Sequence, residues 1–489
     1  MNSKAIKVIL SKNPQWPLVI EIARRVKTFE GRALIVGGAV RDSLMASVLK
    51  VSSKCPSNVL KESDVKDFDM EVFGLNKSVL KRILLDLSRF RTFQDVSGRS
   101  KDASVRFKDG IFLKEVGQQF GVFNLGGVEI AIPRTDSRTR PGMGRKPKVI
   151  SQPDLTFEQA SKRRDLTINA MGYDPLTGEL MDAHGGQKDL KSGLLRAVDE
   201  KSFGDDPLRV LRVMQFAGRF GFKVDPKTIE LCRKISLKHL AKERVGEEWT
   251  KLLLKAPKPS VGLEAGRQLG IFARLHPSLA KMSQSDWKVT KIVVDHVAVL
   301  CYPRIRQAHA LSLSKGASST RPGDPIKVFL LVALCHRMRK TDVTAFLRQI
   351  NCSNKVTNQV VAMLKVMVDM KSKKLSDEFV RRLAFQIAQV DEALTLKDIA
   401  SLVEQIVGRA RTQKVTSIAK KLHVLDTPPV NLLTGKDLLC LGVQPGKKMG
   451  ELLQKAFDEQ LKGRFDDKNH KPQKKLVLEW TKRLYEMHD

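Results

Sequence analysis

K-D-F-D-M-E-V-F-G, residues 66–74, decides how this chain is read. Asp67 and Asp69 are two apart, and in a β-strand residues two apart point to the same side. Two carboxylates on one strand face make a hard-oxygen site suited to Mg²⁺. Upstream, A-L-I-V-G-G-A-V-R-D-S-L-M (33–45) reads as a strand, a Gly37-Gly38 turn and a helix. A Gly-Gly turn that opens a helix offers backbone N–H groups to phosphate. Together the two motifs describe a two-metal phosphoryl-transfer centre. Either one alone is equally a solvated strand edge or a tight turn, so the rest of the chain has to decide.

The chain has 489 residues, a length that predicts two to four structural units, and 42% of them are hydrophobic, ample for globular cores. The formal net charge is +34, with a pI of about 10. That excess implies a polyanionic partner. No segment approaches 18 uninterrupted apolar residues, which argues against a membrane. The N-terminal stretch is basic, lacks a signal-peptide pattern, and reads as one amphipathic helix with Val19, Ile20, Ile22, Ala23 and Val26 on its apolar side. The six cysteines (Cys55, Cys232, Cys301, Cys335, Cys352 and Cys440) form no C-x-x-C, so a reduced, cytoplasmic protein without a zinc site is expected.

Residues 46–64 read as a polar insertion loop. G-V-F-N-L-G-G-V-E-I-A-I-P-R-T-D (121–136) reads as two strands joined at Gly126-Gly127. A Pro-, Gly- and Arg-rich loop follows over 137–155. F-E-Q-A-S-K-R-R-D-L-T-I-N-A-M (157–171) reads as a helix. Residues 173–198 read as two strands around a Pro-Leu-Thr-Gly turn and then a loop. From about Asp206 onward helical periodicity replaces strand signals. A mixed head over 1–199 followed by helices is therefore expected, with a further loop at 312–324 and a boundary at 427–435.

Seven motifs now stand in one order: GGAVRD (37–42), DFD (67–69), VEIAIPR (128–134), KRRDLTINAM (162–171), DAHGGQKDLKSGLLRAV (182–198), DDPLRVLRVMQFAGRFGF (205–222) and ERVGEEWTKLL (243–253). This series resembles the class II tRNA nucleotidyltransferases, the CCA-adding enzymes and their bacterial poly(A) polymerase relatives. A weaker resemblance continues through 432–465. The resemblance implies an α+β fold, with a polymerase-β-type nucleotidyltransferase head over 1–199 followed by all-helical parts. These would be a neck over 200–270 with a nucleotide-selecting motif, a body over 271–426 and an RNA-binding tail over 427–489. It implies template-independent addition of CCA to the 3′ end of tRNA, with CTP and ATP as substrates and Mg²⁺ as cofactor.

Carried over residue by residue, the resemblance makes Asp67 and Asp69 metal ligands and Glu129 the third carboxylate. Gly37 and Gly38 would approach the triphosphate through backbone N–H groups, and Arg41 would pair with a phosphate oxygen. Arg163, Arg164, Asp165 and Asn169 would hold the ribose and triphosphate, with Asp165 and Asn169 four apart on one helix face. Asp206 and Arg209, in D-D-P-L-R, would read the base from one helix face with Pro207 near the helix start. A carboxylate accepts and a guanidinium donates. Cytosine and adenine both present an amino donor beside a ring-nitrogen acceptor, whereas guanine and uracil present the reverse. Asp205 stands where the family usually has Glu. Asp42 is expected to brace locally, and Arg212, Arg219, Glu243, Arg244 and Glu248 to organise the neck helices through salt bridges.

The loop at 137–155 has the length that in this family accompanies addition of the final A. Residues 286–340 resemble the helical phosphohydrolase domain of some bacterial members, but Val289 and Thr290 stand near its first His position, and Arg337 rather than Asp follows His336. No phosphohydrolase activity is expected. Poly(A) addition and partial CC or A addition remain open alternatives, with a non-enzymatic RNA-binding protein more distant.

Overall fold

The structure is a computed structural model that describes residues 3–49, 68–89, 92–94, 104–106, 112–116, 121–136, 149–314, 325–390, 394–467, 469 and 471–486. Its contacts divide the chain into two units, Met1–Leu275 and His276–Asp489.

In the first unit the apolar run R-A-L-I-V forms the strand Arg32–Val36, with Ala33 to Val36 buried. A run buried on both faces belongs in the middle of a sheet. The Asp69–Phe73 strand pairs antiparallel to it, Val36 opposite Asp69 and Arg32 opposite Phe73. The Val128–Ala131 strand joins the far side of Asp69–Phe73 in parallel register. The seven-stranded order is Leu180–Met181, Gly172–Tyr173, Arg32–Val36, Asp69–Phe73, Val128–Ala131, Val122–Leu125 and Leu113–Val116. As expected, Gly126-Gly127 closes a hairpin, with φ of 56° and 87° and Leu125 opposite Val128. Those positive φ values suit the two-residue turn that matches strand twist.

Helices Trp16–Thr28 and Lys77–Ser88 pack against each other, the first also against the Arg32–Val36 strand. Leu80, Ile83, Leu84 and Leu87 recur at helical spacing and are all buried. Each such side chain contributes roughly 1.5–3 kcal/mol by leaving water. Asn76 caps that helix by accepting from the Val79 N–H at 3.0 Å.

The structure corrects several sequence expectations. The N-terminal helix is two, Ser3–Leu10 and Trp16–Thr28. Pro14 disfavours helical backbone at Asn13, and the Asn13 side chain accepts from Gln15 N–H at 2.8 Å, making a turn instead. The 157–171 helix stops at Ser161. The Asp165 carboxylate takes the Leu166 N–H at 2.8 Å, and Leu166 bridges Ala197, so the chain leaves helical geometry. The loop expected after Met181 contains a helix, Gly186–Ser192, whose first N–H groups are satisfied by Asp182. The end of the 137–155 loop is paired: Val149–Ser151 zips onto Arg134–Asp136. Ala46 to Leu49 belong to the helix Gly38–Leu49, which corrects the start of the expected 46–64 insertion, and 50–64 of it lie outside the described residues, as do 137–148 and 315–324 of the expected loops.

Beyond residue 200 the first unit is helical except for Lys223–Val224, a two-residue strand beside Leu194–Leu195 that departs from the all-helical expectation. The helices Leu208–Phe220, Lys242–Lys255 and Pro259–Gln268 pack together. Gly218 and Gly262 bring two of them nearly backbone to backbone. A Cβ on Gly262 would meet the Met214 carbonyl at 2.7 Å.

The second unit is helical. Pro325–Cys335 is its central helix, buried throughout from Val328 to Cys335. Helices Gln284–Ser314, Asn354–Ser372 and Leu396–Val407 pack around it. After the non-helical stretch 427–434, Leu433, Leu438, Val443, Leu452, Ala456, Phe465 and Val477 form a separate apolar cluster. Among the described residues no helix is long and apolar enough to cross a membrane.

Candidate active site

Parallel pairing places Asp69 directly opposite Glu129. Adjacent strands lie about 4.8 Å apart, and paired residues share a face. The Glu129 N–H donates to the Phe68 carbonyl at 2.9 Å, which locks the register at this point. Both acidic residues are exposed, while Met70 and Ile130 on the opposite face are buried. Exposed carboxylates level with one another supply the oxygen donors that Mg²⁺ takes, so the donor set fits a divalent cation. Asp67 lies outside the described residues.

The Asp69 strand ends level with Val36, at the turn that opens the helix Gly38–Leu49. Gly37 has φ 72°, a conformation that glycine adopts at no cost. Its N–H is already committed to the Met171 carbonyl at 3.2 Å, which corrects the expectation that it faces a phosphate. Gly38, as the first residue of the helix, retains the end-on position.

Arg41 is buried rather than open to a ligand. Its Nε donates to Asp42 at 2.7 Å and its Nη1 to the Asn169 side-chain oxygen at 2.5 Å. Its guanidinium lies over the rings of Phe220 at 4.8 Å and Phe216 at 5.3 Å. Nη2 alone borders Gly38, 3.7 Å from where a Cβ would stand.

Arg163 and Arg164 converge on Glu71, a residue the sequence reading passed over. Both donate to Glu71 Oε1, at 2.5 and 3.0 Å. Burial pushes the Glu71 carboxyl up, but the Arg164 and Arg163 guanidiniums more than reverse this and hold it below the usual carboxylate range. Arg164 also reaches the Gly37 turn, where its Nη1 donates to the Asn169 carbonyl at 3.4 Å. A signal for Glu71 was present. A glutamate two residues beyond Asp69 in the apolar run M-E-V-F needs a cation, and an Arg pair is the best planar donor set available.

Asp165 and Asn169 do meet, at 2.9 Å, although Asp165 sits in a bend and Asn169 in the 3₁₀ turn Thr167–Asn169. Asp165 also accepts from Arg212 Nε at 2.6 Å. Burial pushes the Asp165 carboxyl up, while Arg212, Asn169 and the Leu166 N–H pull it below its ordinary value. Asp42 accepts from Arg219 at 3.5 Å as well as from Arg41. Arg212 thus ties the Leu208–Phe220 helix to the Asp165 segment and Arg219 ties it to the Gly38–Leu49 helix, while Arg244 pairs with Asp206 at the start of the same helix.

Asp206 and Arg209 do not share a helix face. The helix begins at Leu208, and Asp206 is extended, with φ −121° and ψ 100°. Pro207 disfavours helical backbone at the residue before it. Asp206 pairs with Arg244 through both oxygens, at 3.2 and 2.8 Å, and accepts from Leu208 N–H. Arg209 is buried and donates to the carbonyls of Ser202 at 2.6 Å and Arg163 at 2.5 Å. Arg209 therefore borders the Arg163 segment while the Asp206 carboxylate turns to Arg244, and the Arg209 N–H donates to the Asp206 carbonyl at 3.0 Å.

In the second unit Thr290 is buried, and His336 Nδ1 lies 2.8 Å from the Ala333 carbonyl. Burial holds the His336 imidazole below its ordinary pKa. Among the described residues no cluster of three or more His, Cys, Asp or Glu stands ready for a metal.

Residues 33–196 match the poly A polymerase head domain family. Residues 221–282 match a family described as a probable RNA and SrmB-binding site of polymerase A, and 324–471 a putative tRNA nucleotidyltransferase domain 2. The multifunctional CCA protein of Cupriavidus metallidurans is 32% identical over 308 residues, 55% of this chain and 71% of that protein. The one from Pseudomonas fluorescens is 41% identical over 175 residues, 34% of this chain and 42% of its own length. Among solved structures, the Bacillus stearothermophilus CCA-adding enzyme in complex with CTP aligns with a TM-score of 0.61 at 20% identity, covering 97% of this chain and 98% of that one. The Thermotoga maritima CCA-adding enzyme complexed with tRNA gives 0.58 at 19%, covering 99% and 98%. At such identities these structures speak to the fold.

Proposed function

The chain belongs to the tRNA nucleotidyltransferase family of the multifunctional CCA proteins, and we propose that it completes the 3′-CCA end of tRNA from CTP and ATP without a nucleic-acid template. The observation that carries this reading is the in-register Asp69–Glu129 pair beside the Gly37-Gly38 turn. Asp67, Asp69 and Glu129 would hold Mg²⁺. When bound, the cations supply the charge that acidifies the RNA 3′-hydroxyl and neutralises the triphosphate.

The remaining work falls to the chain's own groups. Gly38 at the helix start receives a phosphate oxygen, and Arg41 braces the turn from within through Asp42 and Asn169. Arg163 and Arg164, anchored through one edge on Glu71, turn their remaining N–H groups to the triphosphate. Asp165 and Asn169 orient the ribose. Arg209 has five N–H donors, two of them spent on carbonyls, so donors remain for a base edge. Asp206 supplies the acceptor after sharing or releasing Arg244. A wrong base leaves a buried group unmatched, at about 1–3 kcal/mol per group.

The test is Asp69→Asn and Glu129→Gln in a nucleotide-addition assay on tRNA lacking its 3′ end. Addition should fall by at least roughly 100-fold in each while filter binding retains tRNA, because cations do the chemistry and basic surface does the binding. Turnover within a few-fold of the parent would remove the carboxylates from the site.

A further inference from the structure

Asp206 does not present a bare carboxylate. Three donors converge on it. Oδ1 accepts from the Leu208 N–H at 3.1 Å and from Arg244 Nη1 at 3.2 Å, and Oδ2 accepts from Arg244 Nη2 at 2.8 Å. A carboxylate offers about four acceptor positions. The one left over is on Oδ2, and one is what the N–H of an exocyclic amino group requires. The two-point contact with Arg244 also fixes the plane of the carboxylate, because the guanidinium fork is rigid. Stability does not account for Arg244. It stands in the first turn of the helix Lys242–Lys255, where the helix dipole disfavours a cation. Its side chain is 50% exposed and that of Asp206 33%, and an ion pair so open to water adds little to folding. The same openness lets a nucleotide reach Oδ2.

We propose that Arg244 is a positioning residue for nucleotide choice: it stays paired with Asp206 when the nucleotide binds, and by occupying both oxygens it leaves one oriented acceptor for the amino group of cytosine or adenine. It rests on the base-reading role given to Asp206 above. A uracil or guanine carbonyl brought to that position meets an acceptor with no proton to share. Without Arg244 the carboxylate is held only at Oδ1, by Leu208, and turns about its own side-chain bonds. Selection then weakens although every base-reading group is still present. A lysine at this position would restore the charge but not the fork.

The experiment measures kcat/KM for CTP and for UTP on tRNA lacking its 3′ end, using the full chain. Parent, Arg244→Met, Arg244→Lys, Asp206→Ala and the Asp206→Ala/Arg244→Met double variant are compared, with urea unfolding to follow stability. The CTP-to-UTP ratio should fall by about tenfold in Arg244→Met. It should fall several-fold in Arg244→Lys, and urea midpoints should stay near the parent value. Because Arg244 acts through Asp206, adding Arg244→Met to Asp206→Ala should change the ratio by less than about twofold. A parent ratio in a folded Arg244→Met or in Arg244→Lys overturns the proposal. So does an equal loss for both nucleotides, which marks a contact to RNA or phosphate, or a further full-sized fall in the double variant. If Arg244→Met does not fold, Arg244→Lys decides alone. Failure of the base-reading role looks different: Asp206→Ala itself would keep the parent ratio.

Discussion

Arg212 Nε donates to Asp165 Oδ2 at 2.6 Å, joining a helix of the neck region to the segment that carries the Arg-Arg-Asp motif. The contact continues through Asn169 to Arg41 and Asp42 and returns to the same helix at Arg219. The helix and the strand–turn–helix motif are thereby one braced body, and residues far apart in sequence keep fixed positions around the Gly37 turn.

Removing Arg212 should expose how much that brace contributes. Asp165 is 7% exposed and Arg212 35%. Arg212→Met leaves a buried carboxylate without its cation, a loss of about 3–5 kcal/mol for a fully buried pair. Partial solvation of Arg212 reduces this to about 2–4 kcal/mol. Urea unfolding of the first-unit transition measures it, and a loss under 0.5 kcal/mol would show the pair to be ornamental to stability.

The same carboxylate sets an acid dependence. Asp165 is held below its ordinary value in the folded protein, so the unfolded chain binds its proton more readily. Its stabilising contribution is complete above the unfolded value of about 3.9 and is lost as pH falls through the lower folded value. Urea midpoints should therefore drop below about pH 4, and Asp165→Asn should flatten that drop. An unchanged acid slope in the variant would contradict the assignment.

Asp206→Ala and Arg209→Ala should relax nucleotide choice, raising UTP or GTP incorporation relative to CTP by roughly tenfold, the size expected from about 1–3 kcal/mol of lost discrimination. Arg209→Ala should also lower overall rate, because one of its two carbonyl contacts holds the Arg163 backbone and the other that of Ser202. Equal losses for all four nucleotides would refute base reading by this pair.

Deleting 139–146 while keeping the Arg134–Asp136 and Val149–Ser151 ribbon should leave CC addition largely intact and stop A addition. The motive is the family resemblance, in which a loop of this length accompanies addition of the final A, and the stretch Arg140-Pro141-Gly142-Met143-Gly144-Arg145-Lys146 carries the basic residues a phosphate contact would need. Product lengths on a sequencing gel decide, and completion of CCA at the parent rate would reduce the stretch to a linker.

Much of this was legible in the sequence, and what was not had physical causes. Period-two spacing and the Gly126-Gly127 turn announced the strands and their hairpin, because those signals are local. Glu71's partners lie more than 90 positions away, and nothing local says which cations a buried acid will find. Arg41, a basic residue one turn into a helix after Gly-Gly, read as a phosphate ligand until Asn169, Phe216 and Phe220 closed around it. Asp206 is different: Pro207 disfavours helical backbone at the residue before it, a local signal that runs against the helical spacing of D-x-x-R.

The most direct measurement is nucleotide addition to tRNA lacking its 3′ end, with Mg²⁺ and each labelled nucleotide singly and in pairs. The account predicts two residues added from CTP alone, a third when ATP is also present, nothing sustained from UTP or GTP, and no product with Asp69→Asn. Long A tracts from ATP alone, equal use of all four nucleotides, or no incorporation by a folded, tRNA-binding parent protein would contradict it.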